Sequence, residues 1–187
     1  ADHPDASDTV VVFGAGPIGL GVVAACRARG CRVLVVEPDP KRGELATRLG
    51  AETVLDPEAR ELTEAVLDLT HGAGATVVFE ASGKAGALTQ AFEVAAYGGR
   101  VVCIGINIGE RIPARLGLIQ AKELQIRGIV GSPGVWERTL RFLEQSGLDL
   151  RPIVTSQFPL ADATRAIDAV QNDRSQVKVH IVSSASL

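Results

Sequence analysis

The stretch Thr9-Val10-Val11-Val12-Phe13-Gly14-Ala15-Gly16-Pro17-Ile18-Gly19 decides the reading of the whole chain. Its first five residues are apolar or β-branched and carry no charge, the composition of a strand buried on both faces. Three glycines follow in a G-x-G-x-x-G spacing, and Pro17 suits the first turn of a helix that runs to Arg29 and stops at Gly30. Each glycine has a physical role in such a strand-to-helix turn. Gly14 allows the tight bend, Gly16 lets the backbone approach a pyrophosphate, and Gly19 lets the helix pack closely on the strand. The helix N-terminus offers unpaired N–H groups and a partial positive charge to phosphates.

Working outward, hydrophobic runs alternate with helix-length segments to about residue 147, the rhythm of a parallel sheet with helical crossovers. Arg32 to Val36 reads as the second strand, Pro40 to Leu49 as a helix closed by Gly50, and Thr53 to Leu55 as a short third strand. Glu58 to Thr70 reads as a helix whose buried face carries Leu62, Ala65, Val66 and Leu69. The second half repeats the scheme: strand Thr76 to Glu80, helix Lys84 to Ala96, strand Arg100 to Ile104, short helix Ala114 to Ala121, strand Glu123 to Ile129, helix Val135 to Glu144. Six strands in two βαβαβ halves predict an α/β fold with a doubly wound parallel sheet of order 3-2-1-4-5-6 over residues 9–149. A ligand belongs at the C-terminal strand ends, beside the switch between strands one and four. After Asp149 the rhythm breaks. Arg151 to Phe158 reads as extended, Leu160 to Gln171 as an amphipathic helix and Val177 to Val182 as an alternating strand, a strand-helix-strand tail over residues 150–187.

Glu37 strengthens the glycine signal. It ends the second strand 18 residues past Gly19, where a carboxylate can accept hydrogen bonds from both hydroxyls of an adenosine ribose. The same charge repels a 2′-phosphate, so the expected cofactor is NAD rather than NADP. Arg42, five positions on, could stack on the adenine or meet such a phosphate.

Composition and missing motifs exclude other classes. The 187 residues suit one ordinary domain, with 46% hydrophobic and 22% charged residues, so a buried core is expected. A net charge of −3 without a basic face argues against nucleic acid, and no apolar run approaches the ~20 residues of a membrane span. Cys26, Cys31 and Cys103 lie in apolar segments without CxxC spacing, and the polar start Ala1 to Asp8 has no signal-peptide pattern, which together suggest reduced thiols in the cytoplasm. His3, His71 and His180 are scattered and form no metal-ligand pattern. Methyltransferases share a glycine loop and a later acid, but they generally place another acid before the first glycine, where Val11-Val12-Phe13 stands here. Short-chain dehydrogenases need Tyr-x-x-x-Lys, and the only tyrosine, Tyr97, is followed four residues later by Val101.

The ordered strings VVVFGAGPIGLGVVAACRARG, VLVVEPDPKRGELATRLGAETVLDP, VVFEASG, GGRVVCIGI, ELQIRGIVGS, FPLADATRAIDAVQ and VKVHIV resemble the zinc-type medium-chain alcohol dehydrogenases. The match runs from about Thr9 to Val182, covers that family's cofactor domain and C-terminal return segment, and is nearest the polyol, threonine and butanediol branch. The resemblance implies that Gly14, Gly16, Pro17, Ile18 and Gly19 hold the pyrophosphate, Glu37 the adenosine ribose, and Arg42 lies near the adenine. It implies that Ala81, Ser82, Gly83, Ile104, Gly105, Ile106, Ile129, Val130 and Gly131 line the nicotinamide side, and that Lys178 reaches the pyrophosphate. Plainer roles stay open: a turn for Ser82 and Gly83, core for Ile104 and Ile106, a solvated strand position for Lys178.

The family begins with a barrel-like catalytic domain that carries the zinc ligands, and nothing of it precedes Thr9. The resemblance therefore implies an NAD(H)-binding portion of a dehydrogenase for a small alcohol or polyol, with no catalytic residue or metal in this chain and a tail made to pack on the absent domain. The family also implies a homodimer or homotetramer through the edge strand. A free-standing NAD(H)-binding module that senses redox state or serves a partner is the alternative. A zinc-independent NADPH quinone reductase is opposed by Glu37.

Overall fold

In the computed structural model, which describes residues 3–58, 61–131 and 134–183, the chain folds around a six-stranded parallel sheet of order β3-β2-β1-β4-β5-β6. The first half comprises β1 (Thr9–Phe13), α1 (Pro17–Ala28), β2 (Arg32–Val36), α2 (Pro40–Arg48), β3 (Thr53–Leu55) and α3 (Leu62–Leu69). The second comprises β4 (Ala75–Glu80), α4 (Ala85–Val94), β5 (Ala95–Cys103), α5 (Gly117–Ala121), β6 (Gln125–Gly128) and α6 (Trp136–Ser146). The expected fold class and strand order are those observed.

Side-chain alternation splits the core into two layers. Val10, Val12, Val33 and Val35 face α1 and α2, with Leu20, Val23 and Leu45. Val11, Phe13, Leu34 and Val36 face the other way, toward α3 and α4, with Leu62, Val66 and Phe92. Runs of valine and leucine without alternating polarity are what a sheet covered on both faces requires. At the N-terminal strand ends, Asp8 closes the middle of the sheet. Its Oδ1 accepts from Thr76 Oγ1 at 2.7 Å and from Arg100 Nη2 at 2.6 Å, joining β1 to β4 and β5.

Several boundaries differ from the sequence expectation, each for a local reason. Helix α4 ends at Val94 rather than Ala96, because Lys122 Nζ donates to the carbonyls of Glu93 and Ala95 at 2.7 and 2.8 Å and completes its C-terminus. Strand β5 accordingly begins at Ala95, with a register shift beside Ala75 before regular pairing resumes at Arg100. Glu123 takes a left-handed φ of 52°, so β6 starts only at Gln125. The helix expected from Glu58 begins at Leu62; residues 59 and 60 lie outside the described residues.

The tail forms its own two-stranded parallel sheet, β7 (Val154–Pro159) with β8 (Lys178–Val182), joined by α7 (Ala163–Asn172). Residues expected to be extended from Arg151 instead form a 3-10 turn, Arg151–Ile153, opened by Pro152. That turn drives Ile153 into the layer of α1 and α2, with Leu150 and Val177 packed beside it. The tail is thus seated in part on the α1 and α2 layer of the large sheet. Its outer face, Leu160, Ile167, Val170 and Ile181, is exposed.

Candidate functional site

Four polar or charged residues are buried among the described residues: Asp8, Thr70, Glu37 and Glu80. Asp8 and Thr70 serve the N-terminal side of the sheet, with Thr70 Oγ1 closing the end of α3 on the Val66 carbonyl. Glu37 and Glu80 sit instead at the C-terminal ends of β2 and β4, on either side of the switch point. Beside Glu37 opens a cleft of about 870 Å³, lined by the glycine turn, by residues between Glu37 and Arg42 and, from the loop after Glu80, by Ala81, Ser82 and Lys84. That volume lies in the range of small-molecule and cofactor sites.

The glycine turn is built as its spacing predicts. Gly14 has φ +95°, its N–H donates to the Val36 carbonyl at 2.8 Å, and a Cβ there would lie 3.0 Å from Ser82 Cβ. The turn after β1 and the loop after β4 therefore touch closely at the floor of the cleft. Gly16 meets nothing within 4 Å, leaving its backbone open to a ligand, whereas a Cβ at Gly19 would collide with the Gly14 carbonyl. Gly16 caps α1 without any side-chain hydrogen bond, Pro17 lacks an N–H, and no acid occupies the first turn. The N–H groups of Ile18 and Gly19 are then available to an anion.

Glu37, 8% exposed, stands over this turn. Its Oε2 accepts from Ala15 N–H at 2.7 Å and its Oε1 from Asp39 N–H at 3.0 Å. A carboxylate has about four lone-pair sites, so two remain for hydroxyl donors of a ligand. Asp39 caps α2 by accepting from the N–H groups of Lys41 and Arg42. Arg42 reaches the cleft but is also tied to the tail, its Nη2 donating to the Gln176 carbonyl at 2.7 Å while its buried Nε has no partner.

On the other side, Ala81 N–H donates to the Phe13 carbonyl at 3.0 Å, and Ser82 and Gly83 curl around Glu80. Ile104 and Gly105 donate to the Glu80 carbonyl, and Ile129 to that of Cys103. Ile106, Ile129, Val130 and Gly131 are exposed beyond the cleft lining, with Val130 78% exposed. The structure thus brings Gly14, Gly16, Glu37, Arg42, Ala81 and Ser82 together in one cleft, and sets the outer members of the expected nicotinamide side on open loops.

Lys178 is exposed on β8 and does not line the cleft; Arg174, four residues earlier, does. Sequence reading passed over Arg174, Lys84 and Glu80. The signal for Glu80 was present, since TVVFE ends in an acid as RVLVVE does. The placement of Arg174 depends on how the tail folds back.

Burial pushes the Cys26 thiol up to about 12, and burial also raises Cys31 and Cys103, the latter helped by the negative charge of Glu80. Raised thiols carry little thiolate at neutral pH; Cys26 and Cys31 are buried and Cys103 is partly buried. No group of three or more His, Cys, Asp or Glu side chains that could hold a metal occurs among the described residues, and no described helix is long and apolar enough to cross a membrane.

A family model described as zinc-binding dehydrogenase matches residues 17–145. The chain belongs to this family. It is 32% identical over 177 residues to the erythritol/L-threitol dehydrogenase of Mycolicibacterium smegmatis, covering 94% of this chain and 49% of that protein. It is 38% identical over 159 residues to the L-threonine 3-dehydrogenase of Thermococcus kodakarensis, covering 83% of this chain and 45% of that protein. The crystal structure of 2R,3R-butanediol dehydrogenase from Bacillus subtilis superposes with a TM-score of 0.85 at 29% identity, over 94% of this chain and 51% of that one. The chain spans about half the length of the relatives it matches.

Proposed function

We propose that this zinc-binding dehydrogenase chain is the NAD(H)-binding portion of an enzyme that transfers a hydride between a small alcohol or polyol and NAD. The observation that carries the reading is Glu37, buried at the end of β2 and oriented by Ala15 and Asp39 with acceptor capacity left over the glycine turn. The N–H groups of Ile18 and Gly19 take the pyrophosphate, and the open backbone at Gly16 permits its close approach. Glu37 accepts the adenosine ribose hydroxyls and repels a 2′-phosphate. Arg42, Lys84 and Arg174 supply positive charge around the cleft. Ala81 to Gly83, Ile104 to Ile106 and Ile129 to Gly131 flank the nicotinamide, and Lys178 reaches the pyrophosphate only if the tail shifts on the domain. The bound cofactor supplies the hydride acceptor and donor.

In this reading zinc and the handling of the alcohol proton fall to the part of the enzyme that the matched half of the relatives does not include. We place the enzyme in the cytoplasm, where three raised, unpaired thiols are stable. The exposed edge strand β6, with Ile126 on it, is the surface through which two copies pair.

One observation favours the second reading, a free-standing NAD(H)-binding module. The tail already has a seat in this chain, through Ile153 and the Arg42–Gln176 hydrogen bond. Both readings expect NAD binding without turnover of polyols, and they diverge in the encoding DNA: an in-frame catalytic segment upstream of Ala1 favours the first, a start codon at Ala1 the second. The isolated chain is expected to bind NAD without turnover, and tighter binding of NADP than NAD would overturn the cofactor assignment.

A further inference from the structure

Glu80 is the most buried charged group on the cleft side, at 2% exposure, and the proposed function leaves it without a role. Its Oε1 accepts three hydrogen bonds, from Ser82 N–H at 2.8 Å, Ser82 Oγ at 2.6 Å and Gly83 N–H at 2.9 Å. Its main-chain carbonyl accepts two more, from Ile104 N–H at 2.8 Å and Gly105 N–H at 2.9 Å. One residue therefore holds the loop after β4 and the loop after β5. The two loops are pressed together at the same point, since a Cβ on Gly105 would lie 2.5 Å from Glu80 Oε2 and 2.6 Å from Gly83 Cα. From the outer side, Asn107 Nδ2 donates to the Gly83 carbonyl at 3.1 Å.

Burying a carboxyl group is costly unless its oxygens are satisfied, and a three-residue turn closes readily with Ser, Asn or Gly alone. An acid here achieves something that turn chemistry does not: it fixes two loops against each other from beneath. Those loops border the second half of the sheet, which takes the second nucleoside when Glu37 takes the first. Resting on the NAD(H) reading above, we infer that Glu80 is a positioning residue that sets the 81–83 and 104–106 loops for the nicotinamide riboside. It acts through Ser82, Gly83 and Gly105 and touches no ligand itself.

The test compares ADP-ribose, which lacks the nicotinamide ring, with NADH, whose reduced ring reports its surroundings by fluorescence. Each is titrated into the chain and into Glu80→Ala, Glu80→Gln and Asn107→Ala. Glu80→Ala weakens NADH at least about tenfold and ADP-ribose by less than about twofold, the scale of a few lost buried hydrogen bonds felt at one end of the ligand. Glu80→Gln, which keeps an acceptor oxygen, recovers most of the NADH affinity and its fluorescence enhancement. Asn107→Ala shifts the ratio in the same direction by about threefold, and carries the test if Glu80→Ala does not fold. Equal weakening of both ligands, no weakening of either, or failure of Gln to recover NADH binding overturns the role of Glu80. An unmodified chain that binds NADH no better than ADP-ribose overturns it too. An unmodified chain that binds neither ligand rejects the NAD(H) reading and this inference with it.

Discussion

Glu37 closes β2 and Glu80 closes β4, one in each half of the sheet, and both turn a buried carboxyl toward backbone N–H groups beside the cleft. Around Glu37 the structure is finished: β1 and β2 are buried along almost their whole length, and helices cover both faces. Around the far end of the second half it is open. All four residues of β6 are exposed, α6 buries none of its side chains, and Ile108 and Trp136 are 96% and 75% exposed. Arg29 lies over the Phe142 ring of α6, 5.2 Å from its centroid. The first half is thus enclosed by its own helices, while the far edge of the second leaves apolar side chains exposed.

The comparison can be broken at its strongest point first. Gly19→Val forces a side chain into the Gly14 carbonyl and should cost roughly 3 kcal/mol of stability in urea unfolding, with loss of cofactor binding. Asp8→Ala removes the side-chain tie from β1 to β4 and β5 and should cost about 2 kcal/mol, discounted because Arg100 remains partly solvated. Asp8 also gives a pH signature. Burial raises its carboxyl, but the hydrogen bonds from Arg100 and Thr76 outweigh this and hold it below the usual carboxylate value. A carboxyl lowered by folding stabilises fully above its unfolded value of about 4 and loses that contribution as pH falls through the lowered folded value. Acid titration of Asp8→Asn should therefore show a shallower loss of stability below about pH 4 than the unmodified chain.

Glu37→Ser tests the finished half alone, and the preference for NAD over NADP should narrow by about tenfold, or ~1.4 kcal/mol, in competitive titration. Lys122→Met removes the cap of α4 and should lower stability by about 1 kcal/mol, read as a shift in urea midpoint. At the open end, Trp136→Ser should change unfolding stability by less than about 0.5 kcal/mol, because a largely exposed ring loses little on removal.

Most of the sheet was legible because buried parallel strands read as uninterrupted runs, and because Gly14 to Gly19 fixed where the first turn lies. Alternation in the tail identified β8 for the same reason. The limits of α4 and β5 were not legible: what ends α4 at Val94 is Lys122, a side chain 28 residues away in sequence. Spacing carried Glu37 into the site because its role is tied to a fixed distance from the glycine turn. Glu80 has no such ruler, and its importance appears only when Ser82, Gly83 and Gly105 are seen packed around it. Arg174 and Lys178 exchanged places for a comparable reason, since the turn at Arg151–Ile153 decides which part of the tail meets the cleft.

In the proposed function the cleft beside Glu37 is a dinucleotide seat. Amide chemical shifts recorded during titration with NADH test it most directly. One NADH should bind saturably per chain, with shifts at Ala15 to Gly19 and Glu37 and also at Ala81 to Gly83. Saturating NADH that leaves these amides unmoved, or moves only residues away from the cleft, would contradict it.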